Sequence, residues 1–177
     1  MKAPQSRIEK NRDVLVRLVE DLSLETDFDR ACTAAVGAAM RVLKADYGAL
    51  ALPDSAKRLR YTHILGFAPE VNGNHLPEIT PGTLAAFERD NNVFIADYVS
   101  YAGAKQFFLD LKVRSGFAAP VRVDKVAVGV LTLAWRHRID AHNAQTMRAR
   151  AGRDVPDLWS GIADNFRGDP RRTDDEV

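Results

Sequence analysis

The chain has 177 residues, 46% hydrophobic and 28% charged, with 25 Lys+Arg against 24 Asp+Glu for a net charge of +1. That is enough apolar material for one packed domain, and the even charge excludes both a disordered polyelectrolyte and a general field for nucleic acid. A single cysteine, Cys32, excludes an internal disulfide or a cysteine-cluster zinc site, and no apolar run reaches the ~20 residues that cross a bilayer.

The first ten residues, Met1–Lys10, are too polar and charged for a secretory leader, so the expected compartment is the cytoplasm. From about Ser6 to Asp21 the spacing predicts a helix. Ile8, Leu15 and Leu22 recur at seven-residue intervals with Asn11 and Leu18 between them, a seam suited to pairing with another helix. Packing on its own domain fits the same pattern. Residues 1–24 are set apart on this basis as an N-terminal dimerisation or signalling helix. Thr26 or Asp27 then caps a helix running to about Lys44. Phe28, Cys32, Val36, Ala39 and Leu43 share one side of it, and its alanines favour helix and close approach to a sheet. On that face Cys32 reads as a small core residue and not as a reactive thiol.

Tyr47–Leu52 reads as an apolar strand, Pro53–Ala56 as a turn and Arg58–Phe67 as a second strand. In the second, Leu59, Tyr61, His63, Leu65 and Phe67 alternate with polar or smaller neighbours, which puts that set on one face. A Pro/Asn/Gly loop over Ala68–Glu78 holds His75. Thr80-Pro81 supplies a cap and a first-turn proline for a short helix with Leu84 and Phe87. Val93–Ala96 is a brief strand, and Ala104–Leu111 a short helix bearing Phe107 and Phe108.

The span Val113–Trp135 holds two apolar strands joined by a tight Asp124-Lys125 turn. Its second strand is apolar on both faces, as in the middle of a sheet covered on both sides. Asp140 then opens a last helix, with Met147, Ala151, Val155, Leu158, Ile162 and Phe166 in steps of three and four and a kink near Gly152 and Pro156. Gly168–Val177 is a polar tail or linker.

The order helix, helix, hairpin, excursion, hairpin, helix resembles a GAF domain over about Asp27 to Phe166, so a GAF-like domain is drawn over 25–167 and a tail over 168–177. The closest phrases are RSGFAAPVRVDKVAVGVLTLAW (Arg114–Trp135), FIADYVS (Phe94–Ser100) and the opening helix and strand DFDRACTAAVGAAMRVLKADYGALAL. The resemblance implies an α+β fold with a central antiparallel sheet of five or six strands. Terminal helices would pack on one face, and short helices and loops would form a pocket on the other. It also implies a homodimer through the terminal helices and an attached output domain, such as an enzyme of cyclic-dinucleotide turnover or a histidine kinase. Bilin-binding members attach the pigment through a pocket cysteine, and methionine-sulfoxide reductases of this fold need several cysteines in the pocket loops. One helical cysteine fits neither type.

The residues themselves carry no catalytic signature: there is no phosphate loop, nucleophile elbow or carboxylate pair, and no two histidines have helix-face metal spacing. The arginines between Arg136 and Arg153 are offset by Asp140, Asp154 and Asp157 and read as a solvated helix face. The expected role is a non-enzymatic signalling domain that binds a small molecule under the Ala68–Leu111 excursion. The candidate ligand-binding residues are Tyr61, His63, Phe94, Asp97, Tyr98 and Phe117. Tyr61 and His63 would orient a polar group, Asp97 would fix a loop or take a donor, and the aromatics would supply apolar surface. Neither ligand nor cofactor can be named. The alternative is a ligand-free dimerisation and relay domain whose pocket is filled by its own side chains. Neither nucleic acid nor membrane is an expected partner.

Overall fold

The computed structural model describes residues 27–67, 78–123, 125–139 and 145. The helix expected before residue 24, the His75 loop, Asp124, nearly all of the expected last helix and the expected polar tail lie outside the described residues.

Helix α1 spans Phe28–Leu43. It starts where it does because the Asp27 carboxylate accepts from the amides of Asp29 and Arg30, at 3.0 and 3.2 Å. It stops at Lys44, which adopts a left-handed conformation (φ 53°) and donates its N–H to the Met40 carbonyl. Ala31, Cys32, Ala35, Val36, Ala39 and Leu43 are buried along one stripe. Mostly small, they let the helix lie close against β1 (Tyr47–Pro53) and β2 (Leu59–Leu65).

The sheet is completed by β3 (Val93–Ile95), β4 (Ser115–Val123) and β5 (Val126–Trp135), in the order β2-β1-β5-β4-β3 with every neighbouring pair antiparallel. The β4–β5 hairpin is thus the scaffold: β5 is the middle strand, with β1 on one side and β4 on the other. Helices α2 (Pro81–Glu88) and α3 (Gln106–Asp110) belong to the excursion between β2 and β4. At the β1–β2 turn, Asp54 accepts from Arg60, Arg58 and Ala56. The Arg60 bond comes first in holding its carboxyl far below the usual range.

Each face of the sheet has its own core. On the α1 side lie Leu50, Phe117, Val121, Leu131, Leu133 and Trp135, with the Trp135 indole N–H donating to the Leu43 carbonyl at 3.3 Å. On the other side the same strands present mostly small residues: Ala49, Ala51, Gly116, Ala118, Thr132 and Ala134. The side-chain period of two turns the sequence alternation into one densely filled face and one shallow face. That asymmetry positions the site.

Candidate functional site

The shallow face is not closed by packing. Ala118, Thr132, Ala134 and Ala49 form the base of a cavity, and the rings of Tyr47, Tyr61, Phe67, Tyr98 and Phe108 stand around it. Across from the sheet, Thr80, Gly82 and Thr83 at the start of α2 and Val93 and Ile95 of β3 complete the enclosure. The open space amounts to about 70 Å³. Gly82 keeps α2 close to β3, since a Cβ there would stand 3.1 Å from Ile95 Cδ1. The aromatic wall is held by its own contacts. Tyr47 stacks on Phe67 at 4.6 Å between ring centroids, and Phe108 meets Tyr61 and Tyr98 edge-on at 6.4 and 6.1 Å.

The polar groups of the lining are hydroxyls and backbone. Tyr61, Thr80 and Thr83 form a buried triangle with oxygen separations of 2.8, 2.9 and 3.4 Å, and the Thr83 amide donates to Thr80. The capping geometry of α2 therefore also anchors the β2 tyrosine. The Tyr98 hydroxyl accepts from the Lys105 amide at 3.1 Å, and burial pushes its phenol above the usual value. The Tyr47 hydroxyl donates to the Leu111 carbonyl at 3.0 Å and accepts from Arg136 Nε at 2.6 Å. Arg136 follows directly on β5, so Tyr47 joins the cavity wall to the segment that leaves the sheet. Arg136 and Arg138 are exposed, as the sequence suggested, but they lie on irregular chain and not on a helix, and they bond to Tyr47 and Asp97. Among the described lining residues there is no Asp, Glu, Lys, Arg or His.

The expected residues divide. Tyr61 and Tyr98 line the cavity, and Phe117 borders it while belonging to the α1-side core. His63 is turned away from it. Its Nε2 lies 3.1 Å from the Asp29 carboxylate on α1, and its Nδ1 lies 2.9 Å from the Thr62 hydroxyl. The cause is a bulge. Gly48 pairs with Leu65 but Leu50 pairs with Thr62, so β2 carries one extra residue, and His63 absorbs it in a left-handed conformation (φ 47°). Beyond the bulge the faces exchange, so that Ile64 reaches the cavity and Leu65 packs on the α1 side.

Phe94 also faces α1, because its neighbours Val93 and Ile95 take the cavity side of β3. Asp97 lies outside the lining and fixes its loop. It accepts from the Ser100 hydroxyl at 2.7 Å and the Val99 amide at 3.3 Å, and pairs with Arg138 at 2.7 Å. Thr80, Thr83, Thr132 and Tyr47 were not among the expected site residues. The signal for the base was present as the large/small alternation in GFAAP and VLTLAW. Thr80 had been read only as the cap of α2, and Thr83 had no reading.

The Ser100 bond and then the Arg138 charge depress the Asp97 carboxyl below its ordinary 3.8. A depressed folded-state value contributes stability above the unfolded value and loses it as pH falls through the folded one. Asp97→Asn is therefore expected to lower the melting temperature modestly at about pH 7 and by less at about pH 2, as the carboxylate becomes protonated. Melting curves at both pH values check it, and an equal gap at both would remove the ionised pair from the explanation.

Cys32 is fully buried on the inner face of α1, in the core on the opposite face of the sheet from the cavity. Among the described residues no group of three His, Cys, Asp or Glu side chains could hold a metal ion, and no helix is long and apolar enough to cross a membrane.

No protein-family profile and no curated protein sequence matches the chain. Solved structures do. The GAF domain of an Acinetobacter phosphoenolpyruvate-protein phosphotransferase superposes with a TM-score of 0.67 at 15% identity, covering 95% of this chain and 95% of that one. The GAF domain of A. aeolicus nlh2, in an inactive state, gives 0.67 at 15% identity over 89% of this chain and 96% of that one. A free methionine-R-sulfoxide reductase from Neisseria meningitidis, in complex with its substrate, gives 0.66 at 15% identity over 94% and 93%. At such identities the likeness is one of fold. With its five-stranded antiparallel sheet, α1 on one face and the α2–α3 excursion on the other, the chain is a GAF-fold domain.

Proposed function

We propose that this domain is a non-enzymatic sensor, which binds a small molecule between the sheet and the α2–α3 excursion and passes the event to an output domain through its terminal helices. The observation that carries this reading is the cavity wall itself. Tyr47 lines the cavity and is bonded to Arg136, the first residue beyond the central strand. A ligand that moves Tyr47 therefore acts on the segment leading to the expected C-terminal helix, the kind of two-arrangement element that a ligand can bias. The single cysteine, buried away from the cavity, supports a binding role over thiol chemistry of the reductase kind. In this reading the helix of residues 1–24 pairs two copies in the cytoplasm, and the output is an enzyme of cyclic-dinucleotide turnover or a histidine kinase.

A thermal-shift screen of metabolites tests the sensor. A ligand at a hundredfold its Kd stabilises by about 2.7 kcal/mol, roughly 5–10 °C for a chain of this size. Ala118→Leu, which fills the base of the cavity, should abolish the shift. Light scattering reads the pairing, since Leu15→Asp should move the mass towards a monomer. An unchanged mass would remove the paired helix. The size of the cavity favours a second reading, because about 70 Å³ is small beside the roughly 300–1,000 Å³ of common ligand pockets. In that reading the domain relays between neighbours and binds nothing. A screen without any shift would decide for it.

A further inference from the structure

We infer that the cavity takes an uncharged, compact molecule, no larger than about one aromatic ring, that places a hydroxyl or carbonyl oxygen against Tyr98. The inference rests on the sensor reading and specifies its ligand. Three observations carry it.

The first is charge. The described lining has no ionisable side chain other than its tyrosines. An ion brought there loses its hydration and meets no counter-charge among the described lining residues, at a penalty of several kcal/mol. The space itself then sets the size. The open space is about 70 Å³, whereas a water needs roughly 10–15 Å³ and an apolar cavity of roughly 150 Å³ holds benzene. A few heavy atoms fit directly, and a single ring fits once the surrounding aromatics retreat to open about twice that space. Nucleotides and tetrapyrroles do not.

The third observation is the hydroxyl inventory. The triangle of Tyr61, Thr80 and Thr83 can satisfy itself by donating in a circle, and Thr132 donates to the Ala49 carbonyl at 3.1 Å. Tyr47 is bonded both as donor and as acceptor. Tyr98 differs. It is 4% exposed, its oxygen accepts from Lys105, and among the described residues its own proton has no acceptor. A buried O–H lacking an acceptor is a directional demand on whatever enters. Aromatic and small apolar groups supply the rest of the contact, which calls for an apolar body.

The experiment uses one shape in several chemistries. Butanone and phenol are compared with butyrate, benzoate, butylammonium and benzylammonium, and with toluene as the apolar control. Binding is read as saturable NMR shifts of the Tyr98, Thr83 and Ala118 resonances of the full chain. Butanone or phenol should bind at least tenfold more tightly than its charged counterparts. Phenol should exceed toluene by about 3–10-fold in the wild type, the range of one net hydrogen bond. Tyr98→Phe should bring phenol down to toluene while leaving toluene unchanged. If Tyr98→Phe does not fold, the wild-type panel still decides. Tighter binding of a charged counterpart overturns the inference and leaves the sensor standing. So does an undiminished phenol preference in Tyr98→Phe. No binding by any probe, together with no hit in the broader metabolite screen, removes the sensor reading itself.

Discussion

Trp135→Ala should destabilise the domain by about 3–5 kcal/mol, the usual cost of emptying a fully buried aromatic site. Trp135 is 1% exposed and closes the end of the central strand, where its indole N–H reaches across to the last carbonyls of α1 at Leu43. The substitution removes the ring that joins β5 to α1 and leaves that carbonyl without its indole donor. With total stabilities of about 5–15 kcal/mol for domains in general, the loss approaches the whole of a marginal fold. Trp135→Phe keeps a ring in place and forfeits the hydrogen bond, so a loss of about 1–3 kcal/mol is expected. Urea unfolding of the three proteins measures the differences. An alanine variant within 1 kcal/mol of the wild type would mean that β5 and α1 are not held together at this point.

Gly129→Ala should cost about 1–3 kcal/mol, and clearly more than Gly48→Ala, although the two Cβ atoms would meet neighbours at the same 2.7 Å. The difference lies in what is struck. At Gly48 the added carbon meets Met40 Cγ and Sδ and Val36 Cγ1, and a methionine can swing away. At Gly129 it meets Leu52 Cδ2, which can move, and also the Ala51 carbonyl oxygen at 2.8 Å, which cannot move without shifting β1. Both residues sit inside the β1–β5 region of the sheet, so displacement there also disturbs Ala49 and Ala51 on the cavity side. Paired denaturation curves check the ranking. Equal losses at both sites would show that β1 yields as readily as a methionine.

Trp135 and Gly129 both belong to β5, the strand easiest to anticipate. The charge-poor run from Val126 to Trp135 is explained only by a strand covered on both faces, and β5 is the middle strand of five. The Asp27 cap, the alanine-rich stripe of α1 and the Thr80-Pro81 start of α2 are local chemistry, set by residues within a few positions of one another. Such features do not depend on what packs against them later.

The candidate site was legible only in part. Tyr61 and Tyr98 were expected at the cavity and line it, whereas His63, Phe94 and Asp97 do not. Strict alternation assigned His63 to the face of Tyr61, and one extra residue in β2 reversed the faces from that point on. Nothing in YTHIL announces a bulge, since a left-handed histidine is stabilised by what it then reaches, here Asp29 on α1. In β3, three residues are too few for a period of two to declare which face is which until Phe117 pairs with Phe94 on the α1 side.

Over the described residues the sequence by itself determined the elements, their order and the central hairpin, because hydrophobic period and capping chemistry act over short distances. Tertiary structure alone decided which face of that hairpin stays open. Alternating small residues from three separate strands had to be brought side by side before their missing volume became a cavity. The hydroxyls around it come from positions as far apart as Tyr47 and Thr132, which only the antiparallel pairing of β1 with β5 brings together.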